Sequence, residues 1–175
     1  MITPESLVQL KAFARQDGLL LALYWGISFG FVMLQPESLM GSLLTLATPF
    51  VVGWRVTKFR DNVLGGTISF RRSYAYSTSI FIYAAMAFAL IQYAYFRFFD
   101  QGTFMGLLAQ SVETLKPNYE QAGINTAELT ETMKLMQAWP PIQWAFVFMI
   151  QNIFVGFIAS LPIAAFCARR VASTQ

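Results

Sequence analysis

Charged residues along this chain fall in clusters and leave four long stretches with none. GLLLALYWGISFGFVML lies between Asp17 and Glu37, and SLMGSLLTLATPFVVGW between Glu37 and Arg55. Ser73 to Phe96 is uncharged between Arg72 and Arg97, and a final apolar run follows Pro140-Pro141 as far as Ala168. A helix rising 1.5 Å per residue needs about 20 apolar residues to cross about 30 Å of hydrocarbon, with roughly 17 to 25 tolerated. All four stretches meet that length, the second only just. Helices apolar on every side cannot be buried four at a time inside so small a protein. The pattern therefore predicts an all-α integral membrane four-helix bundle, one membrane domain over 1–175. Its spans cover approximately 18–35, 39–56, 74–97 and 142–168, with a basic loop at 55–73 and a second loop at 98–141. Gln35-Pro36 makes the first two spans a hairpin.

The segments outside the spans also show helical periodicity. Thr3, Pro4 and Glu5 read as a cap, a first-turn proline and a favourable acid, and Leu7, Leu10 and Ala14 share one face. They predict a short N-terminal interfacial helix. In the second loop TFMGLLAQSVETLK reads as a helix, Pro117 and Gly123 punctuate, and Asn125 with Glu128 resembles a capping box. A further helix then runs to about Ala138, its face of Leu129, Met133 and Met136 expected to pack over the bundle.

Within the spans, small and polar residues recur on one face, where they let backbones approach closely. Ala22, Gly26 and Gly30 form this stripe in the first span, and Gly41, Thr45, Pro49 and Gly53 in the second. Thr78, Ala85, Ala89 and Gln92 form it in the third, and Asn152, Gly156 and Ser160 in the fourth. Gln92 and Asn152 are costly against lipid and are expected to hydrogen-bond across helices. Gly26 and Gly30 fit either internal packing or a homodimer. Pro162 is expected to kink the fourth span.

Composition agrees: 56% of residues are hydrophobic and 12% charged, against about 25% charged in a soluble domain. Charge sets the orientation, because lysine and arginine accumulate on the cytoplasmic side. Nine of the twelve basic residues fall on one side: Lys11, Arg15, Arg55, Lys58, Arg60, Arg71, Arg72, Arg169 and Arg170. Both termini are thus expected in the cytoplasm, with 98–141 on the opposite side of the membrane. The first span reads as retained, since its flank is acidic as well as basic and no small-x-small cleavage site follows Leu34. A net charge of +3, with the cations committed to one membrane face, argues against nucleic acid as a partner.

Little catalytic material is present. Histidine is absent and Cys167 is the one cysteine, so no metal, cofactor, triad or disulfide is expected. Cys167 reads as a small buried hydrophobe, and the Glu128 and Glu131 carboxylates as a solvated face. No Asp, Glu, Lys or Arg stands near the centre of a span, where coupled transporters place them. A neutral pathway lined by Gln92, Gln151 and Asn152 stays open. The basic loop KFRDNVLGGTISFRR has two readings. Gly65 and Gly66 can offer backbone N–H groups to a lipid phosphate while Lys58, Arg60, Arg71 and Arg72 supply charge. Alternatively the same cations only anchor topology, the favoured reading.

This loop, with the following SYAYS, resembles the segment after the second span in the bacterial family called domain of unknown function 4199. The matching positions are Arg60, Asp61, Gly65, Gly66, Ile68, Ser69 and Phe70. Arg71 stands where family members often have glycine, and Gln101-Gly102 where they often have proline. The resemblance implies an initial helix entering a membrane hairpin, a third span, an extracytoplasmic helical segment and a fourth span ending in basic residues. It implies an integral bacterial inner-membrane protein, multi-pass with both termini cytoplasmic, and no catalytic residue. The expectation is a non-enzymatic scaffold or accessory subunit in contact with membrane lipids and with another membrane protein or a second copy. The alternative is a small permease or lipid-handling protein, or, as the family resemblance implies, a partner of a polyprenyl-phosphate glycosyltransferase.

Overall fold

The computed structural model describes the backbone over residues 4–121 and 126–169 and the side chains over 7–119, 121 and 131–169. Among the described residues there are six helices and no strand: α1 (Pro4–Leu34), α2 (Met40–Val63), α3 (Phe70–Phe98), α4 (Thr103–Gln121), α5 (Thr126–Gln137) and α6 (Pro141–Cys167). Among them three, within Leu7–Leu34, Phe70–Phe98 and Pro141–Cys167, are long and apolar enough to cross a membrane. The second expected span does not reach that measure. Its helix is long enough, but Ser42, Thr45, Thr48, Pro49 and Arg55 dilute its apolar content.

The expected interfacial helix is not a separate element; its residues are the first turns of α1. Leu10, Ala14, Asp17, Leu21, Ala22, Trp25 and Ser28 are all buried. Their spacings of three and four residues keep them on one helix face, so the same stripe runs from end to end and nothing breaks it. The proposed Thr3 cap lies outside the described residues.

α3 is the centre of the bundle. It packs most extensively on α6 and next on α1, while α1 pairs with α2 and α2 reaches α6 and α3. Buried residues therefore occur on several sides of α3, including Tyr76, Ile80, Phe81, Ala84, Ala85, Phe88 and Gln92. Glycines set the closest approaches. A Cβ on Gly156 would lie 2.5 Å from Cβ of Phe81, one on Gly18 2.6 Å from Cβ of Tyr83, and one on Gly41 2.5 Å from the Val32 side chain. At Gly26 a Cβ would make ordinary contact with Ile91 at 3.4 Å, and at Gly30 it would meet nothing within 4 Å. The α1–α2 hairpin is joined by polar bonds instead. Tyr24 donates to the Leu44 carbonyl (2.6 Å), Trp25 Nε1 to Thr48 Oγ1 (3.1 Å) and Ser28 to the Gly41 carbonyl (2.8 Å).

Two expectations for the 98–141 segment change. Pro117 does not end its helix, for α4 continues to Gln121. A proline in the last turns leaves only one carbonyl, that of Glu113, without its donor, and water can serve that group. Second, α5 packs against α4 rather than over the bundle. Gly123 and Asn125 lie outside the described residues. The pair is tied to the bundle through α4, where Asp100 accepts from the Phe104 N–H (3.0 Å). The Phe104 ring then joins Phe96, Trp144 and Phe148, with centroids 4.9–6.3 Å apart. α6 opens with Pro141 in its first turn and stays helical through Pro162.

These approaches predict opposite outcomes for two glycines. Gly156→Ala drives a methyl group into Phe81 and should lower stability by about 1–3 kcal/mol. Gly30→Ala, facing open space, should stay within about 0.5 kcal/mol of the parent. Thermal unfolding in one detergent compares them.

Candidate functional site

The basic loop that carries the sequence motif proves to be a set of internal joints. α2 ends by placing Gly65 and Gly66 at φ +66° and +88°, a left-handed conformation that side chains with a Cβ resist. This turns the chain so that the Leu64 and Gly66 N–H groups both donate to the Arg60 carbonyl (3.2 and 2.9 Å). Ile68, buried, exchanges two backbone bonds of 2.9 Å with Arg169 beyond α6. Ser69 then caps α3, its hydroxyl accepting from the Arg72 N–H (3.4 Å), and Phe70 is the first helical residue.

The four candidate cations do not converge on one ligand. Arg60 donates to both carboxylate oxygens of Asp61 (2.7 and 3.0 Å) and to the Cys167 carbonyl (3.1 Å). The Arg60 hydrogen bonds hold the Asp61 carboxyl below the usual carboxylate range, and Asp61 in turn raises the guanidinium. A contribution of that sign is present above the ordinary carboxyl pKa and is lost as pH falls through the lowered one. Lys58 Nζ lies 5.2 Å over the Trp54 ring, Arg71 is exposed and Arg72 is half-buried. With Gly66 N–H already bonded, the phosphate-cradle geometry is not assembled at the glycines. Cys167 is buried between α6 and α2, its thiol 3.5 Å from the Gly53 carbonyl.

What does converge is a group in which the sequence pattern had used Asp17 and Arg55 only as charges flanking the spans. Asp17 of α1 is 3% exposed. Its carboxylate pairs with Arg55 of α2 through one oxygen and accepts from the Tyr76 hydroxyl of α3 through the other, at 2.6 Å. Phe59 stacks on Tyr76 with centroids 4.0 Å apart and closes one side. Phe13, Gln16, Lys58 and Asn62 complete a cavity of about 200 Å³ beside this tie. The signal was available in the spacing: Asp17 lies three residues after Ala14 and seven after Leu10, on the buried face. Each carboxylate oxygen has one partner, on a different helix, so the group holds helices together. It leaves Arg55 Nε, buried and without a partner, and Lys58 as the cationic lining of the cavity.

Nearer the other end of the bundle, a second cavity of about 240 Å³ collects the neutral polar positions of the spans. Gln92 of α3 meets Ser28 of α1, Thr45 of α2, and Gln151 with Asn152 of α6 there. Gln92 is 3% exposed and its Oε1 has no hydrogen-bond partner, so the expected bond across helices is not made by that atom. Gly156 and Ser160, one and two turns further along α6, are buried against α3 and carry no part of this lining.

A family model described as "Protein of unknown function (DUF4199)" matches residues 16–169. Neither the curated proteins nor the solved structures contain a match.

The three-helix tie makes a graded prediction. Arg55→Met strands a buried carboxylate and should cost about 3–5 kcal/mol. Tyr76→Phe removes one hydrogen bond to the same charge and should cost about 1.5–3 kcal/mol. The double change Asp17→Leu with Arg55→Met removes both charges and should recover most of the Arg55→Met loss. Thermal melting of the purified protein ranks the set; equal loss in the single and double variants would refute the pairing.

Proposed function

The chain belongs to the DUF4199 family, and from that premise we propose that it is a four-span, non-enzymatic scaffold or accessory subunit of the bacterial cytoplasmic membrane. Support for α2 as the remaining span comes from its outward face. Leu39, Leu43, Leu46, Phe50 and Trp54 are 56–79% exposed and recur every three or four residues. Those fifteen residues of progression give an apolar stripe about 22 Å long, which lipid covers without the penalty water imposes. The other helices present similar outward rows, such as Leu19, Leu23 and Ile27 of α1 and Phe146, Ile150, Phe154 and Phe157 of α6. With the basic loop, Lys11, Arg15 and Arg169 gathered at one end, the positive-inside bias puts that end in the cytoplasm.

The single observation carrying the accessory role is the α4–α5 pair. It packs on itself and meets the bundle chiefly through Phe104, leaving Leu115 and Leu135 exposed at 43% and 66%. The bundle's closest packing lies elsewhere, so this arm is the element free to engage a second membrane protein or a second copy. The family resemblance favours a polyprenyl-phosphate glycosyltransferase as that protein. The cations at the cytoplasmic end serve topology and contact with anionic lipid.

Two measurements test this reading. A photocrosslinker at Leu135, activated in native membranes and followed by mass spectrometry, should yield one dominant adduct with a membrane protein; recovery of the uncrosslinked chain alone would sink the accessory role. In a Cys167→Ala background, a cysteine at Glu120 should react with an impermeant reagent from outside, and one at Asn62 should not. The reverse pattern would overturn the orientation.

A further inference from the structure

The 200 Å³ cavity beside the Asp17–Arg55–Tyr76 tie opens at the level where lipid headgroups lie. Phe13, Gln16, Lys58 and Asn62 around it are exposed, while Asp17, Phe59 and Tyr76 form a buried floor. On the four-span placement Gln16 stands two residues before the first span, which begins at 18, and Lys58 two residues past the second, which ends at 56. Two residues of helix rise about 3 Å, so the opening sits just outside the hydrocarbon. Trp54 marks the same boundary. It is exposed, with Arg55 Cζ and Lys58 Nζ 5.4 and 5.2 Å from its ring centroid, and tryptophan collects where lipid meets water.

The lining defines the head that fits. Three exposed side chains bring N–H donors to the opening: the Lys58 ammonium and the amides of Gln16 and Asn62. No neighbouring carboxylate is free to repel an anion. Each Asp17 oxygen has its partner in Arg55 or Tyr76, and both Asp61 oxygens are held by Arg60. Asp17 and Arg55 cancel, which leaves the charge of Lys58 as the net charge of the lining. The volume is roughly seven times the ~30 Å³ of one water, room for a phosphodiester and little more.

The surfaces leading away from the cavity define the tail. Lys58, Trp54 and Phe50 follow one another at four-residue steps on α2, and Gln16, Leu20 and Leu23 at four and three on α1. Those steps keep each row on one helix face, and Trp54, Phe50, Leu20 and Leu23 are all exposed. α1 and α2 run antiparallel, as the pairs Asp17 with Arg55, Trp25 with Thr48 and Ser28 with Gly41 show. Both apolar rows therefore run from the cavity toward the opposite end of the bundle, as an acyl chain would. A free phosphate ester would use the cavity alone; a phospholipid uses the cavity and the rows together.

We propose that this cavity seats one anionic phospholipid, its phosphate held by Lys58, Gln16 and Asn62 and its chain lying along the exposed rows of α1 and α2. Diffuse attraction of surface cations to anionic lipid has no such geometry. The seat goes beyond the accessory role and rests only on the membrane placement of α1 and α2.

The test uses the full chain in phosphatidylcholine nanodiscs containing phosphatidylglycerol with a photoactivatable acyl chain, or phosphatidylcholine carrying the same chain as the control. Labelling of the α1 and α2 peptides beside the cavity should favour phosphatidylglycerol about tenfold, the step expected from one charge-assisted hydrogen bond. The preference should survive about 1 M salt, where the Debye length is 3 Å and diffuse surface attraction is screened. Lys58→Gln should remove most of it, with a melting temperature close to the parent's because the side chain is at the surface. The pair Gln16→Leu with Asn62→Leu should weaken it about threefold. Lys11→Gln, which removes the same charge outside the cavity, should leave it intact. Equal labelling by the two lipids, loss of the preference in salt, an unchanged preference in Lys58→Gln or an equal loss in Lys11→Gln would each overturn the proposal. Glycerol 3-phosphate that competed the label away would assign the cavity to a soluble phosphate ester and overturn the lipid; failure to compete supports it. Labelling of Phe50 and Trp54 by the phosphatidylcholine probe reports membrane placement by itself, so loss of the headgroup preference with that labelling retained sinks the seat alone. A nanodisc exposes both faces alike, so neither a reversed orientation nor a failed crosslink at Leu135 alters these outcomes.

Discussion

One carboxylate joins three of the helices. Asp17 on α1 receives the guanidinium of Arg55 from α2 and the hydroxyl of Tyr76 from α3, in a place almost closed to solvent. A charge buried there is tolerable only when both partners arrive together. Sliding any of the three helices by a turn, about 5.4 Å, would break at least one of the bonds. The tie therefore specifies register in a way that the apolar surfaces around it cannot, since leucine packs on leucine or lipid with similar ease. Phe59 stacked on Tyr76 shields the tie and extends it into the packing between α2 and α3.

From that anchor the rest of this end of the bundle follows as joinery. The two glycines reverse the chain, Ile68 and Arg169 bind the loop to the end of α6, and Ser69 starts α3. Arg60, the most obvious cation of the loop, is drawn into this closure through Asp61 and the Cys167 carbonyl. The opposite end is built differently, from stacked aromatic rings and from polar side chains of the α1–α2 hairpin.

The elements in the sequence were largely readable because hydrophobic runs, proline breaks and capping residues act locally. Spans one, three and four correspond to helices of the expected type, and Pro140-Pro141 starts α6 as its chemistry requires. The interfacial helix was misjudged because Asp17 looked like a boundary, whereas a charged residue with partners on two other helices can continue a buried face. Pro117 was misjudged because a proline near a helix end removes a bond that water replaces. The α4–α5 pairing was not readable at all, since an amphipathic face does not say which surface covers it.

By itself the sequence determined the all-α class, the long apolar runs, the asymmetry of basic charge and the motif of the DUF4199 family, because each depends on residue type and short spacing. Only the tertiary structure decided what those residues do together. It brought Asp17 to Arg55 and Tyr76 from positions 38 and 59 residues away, bonded Ile68 of the basic loop to Arg169 beyond α6, and gathered Gln92, Gln151 and Asn152 around one cavity. Burial and convergence of polar groups from separate helices depend on how those helices cross, and no pattern along a single helix carries that information.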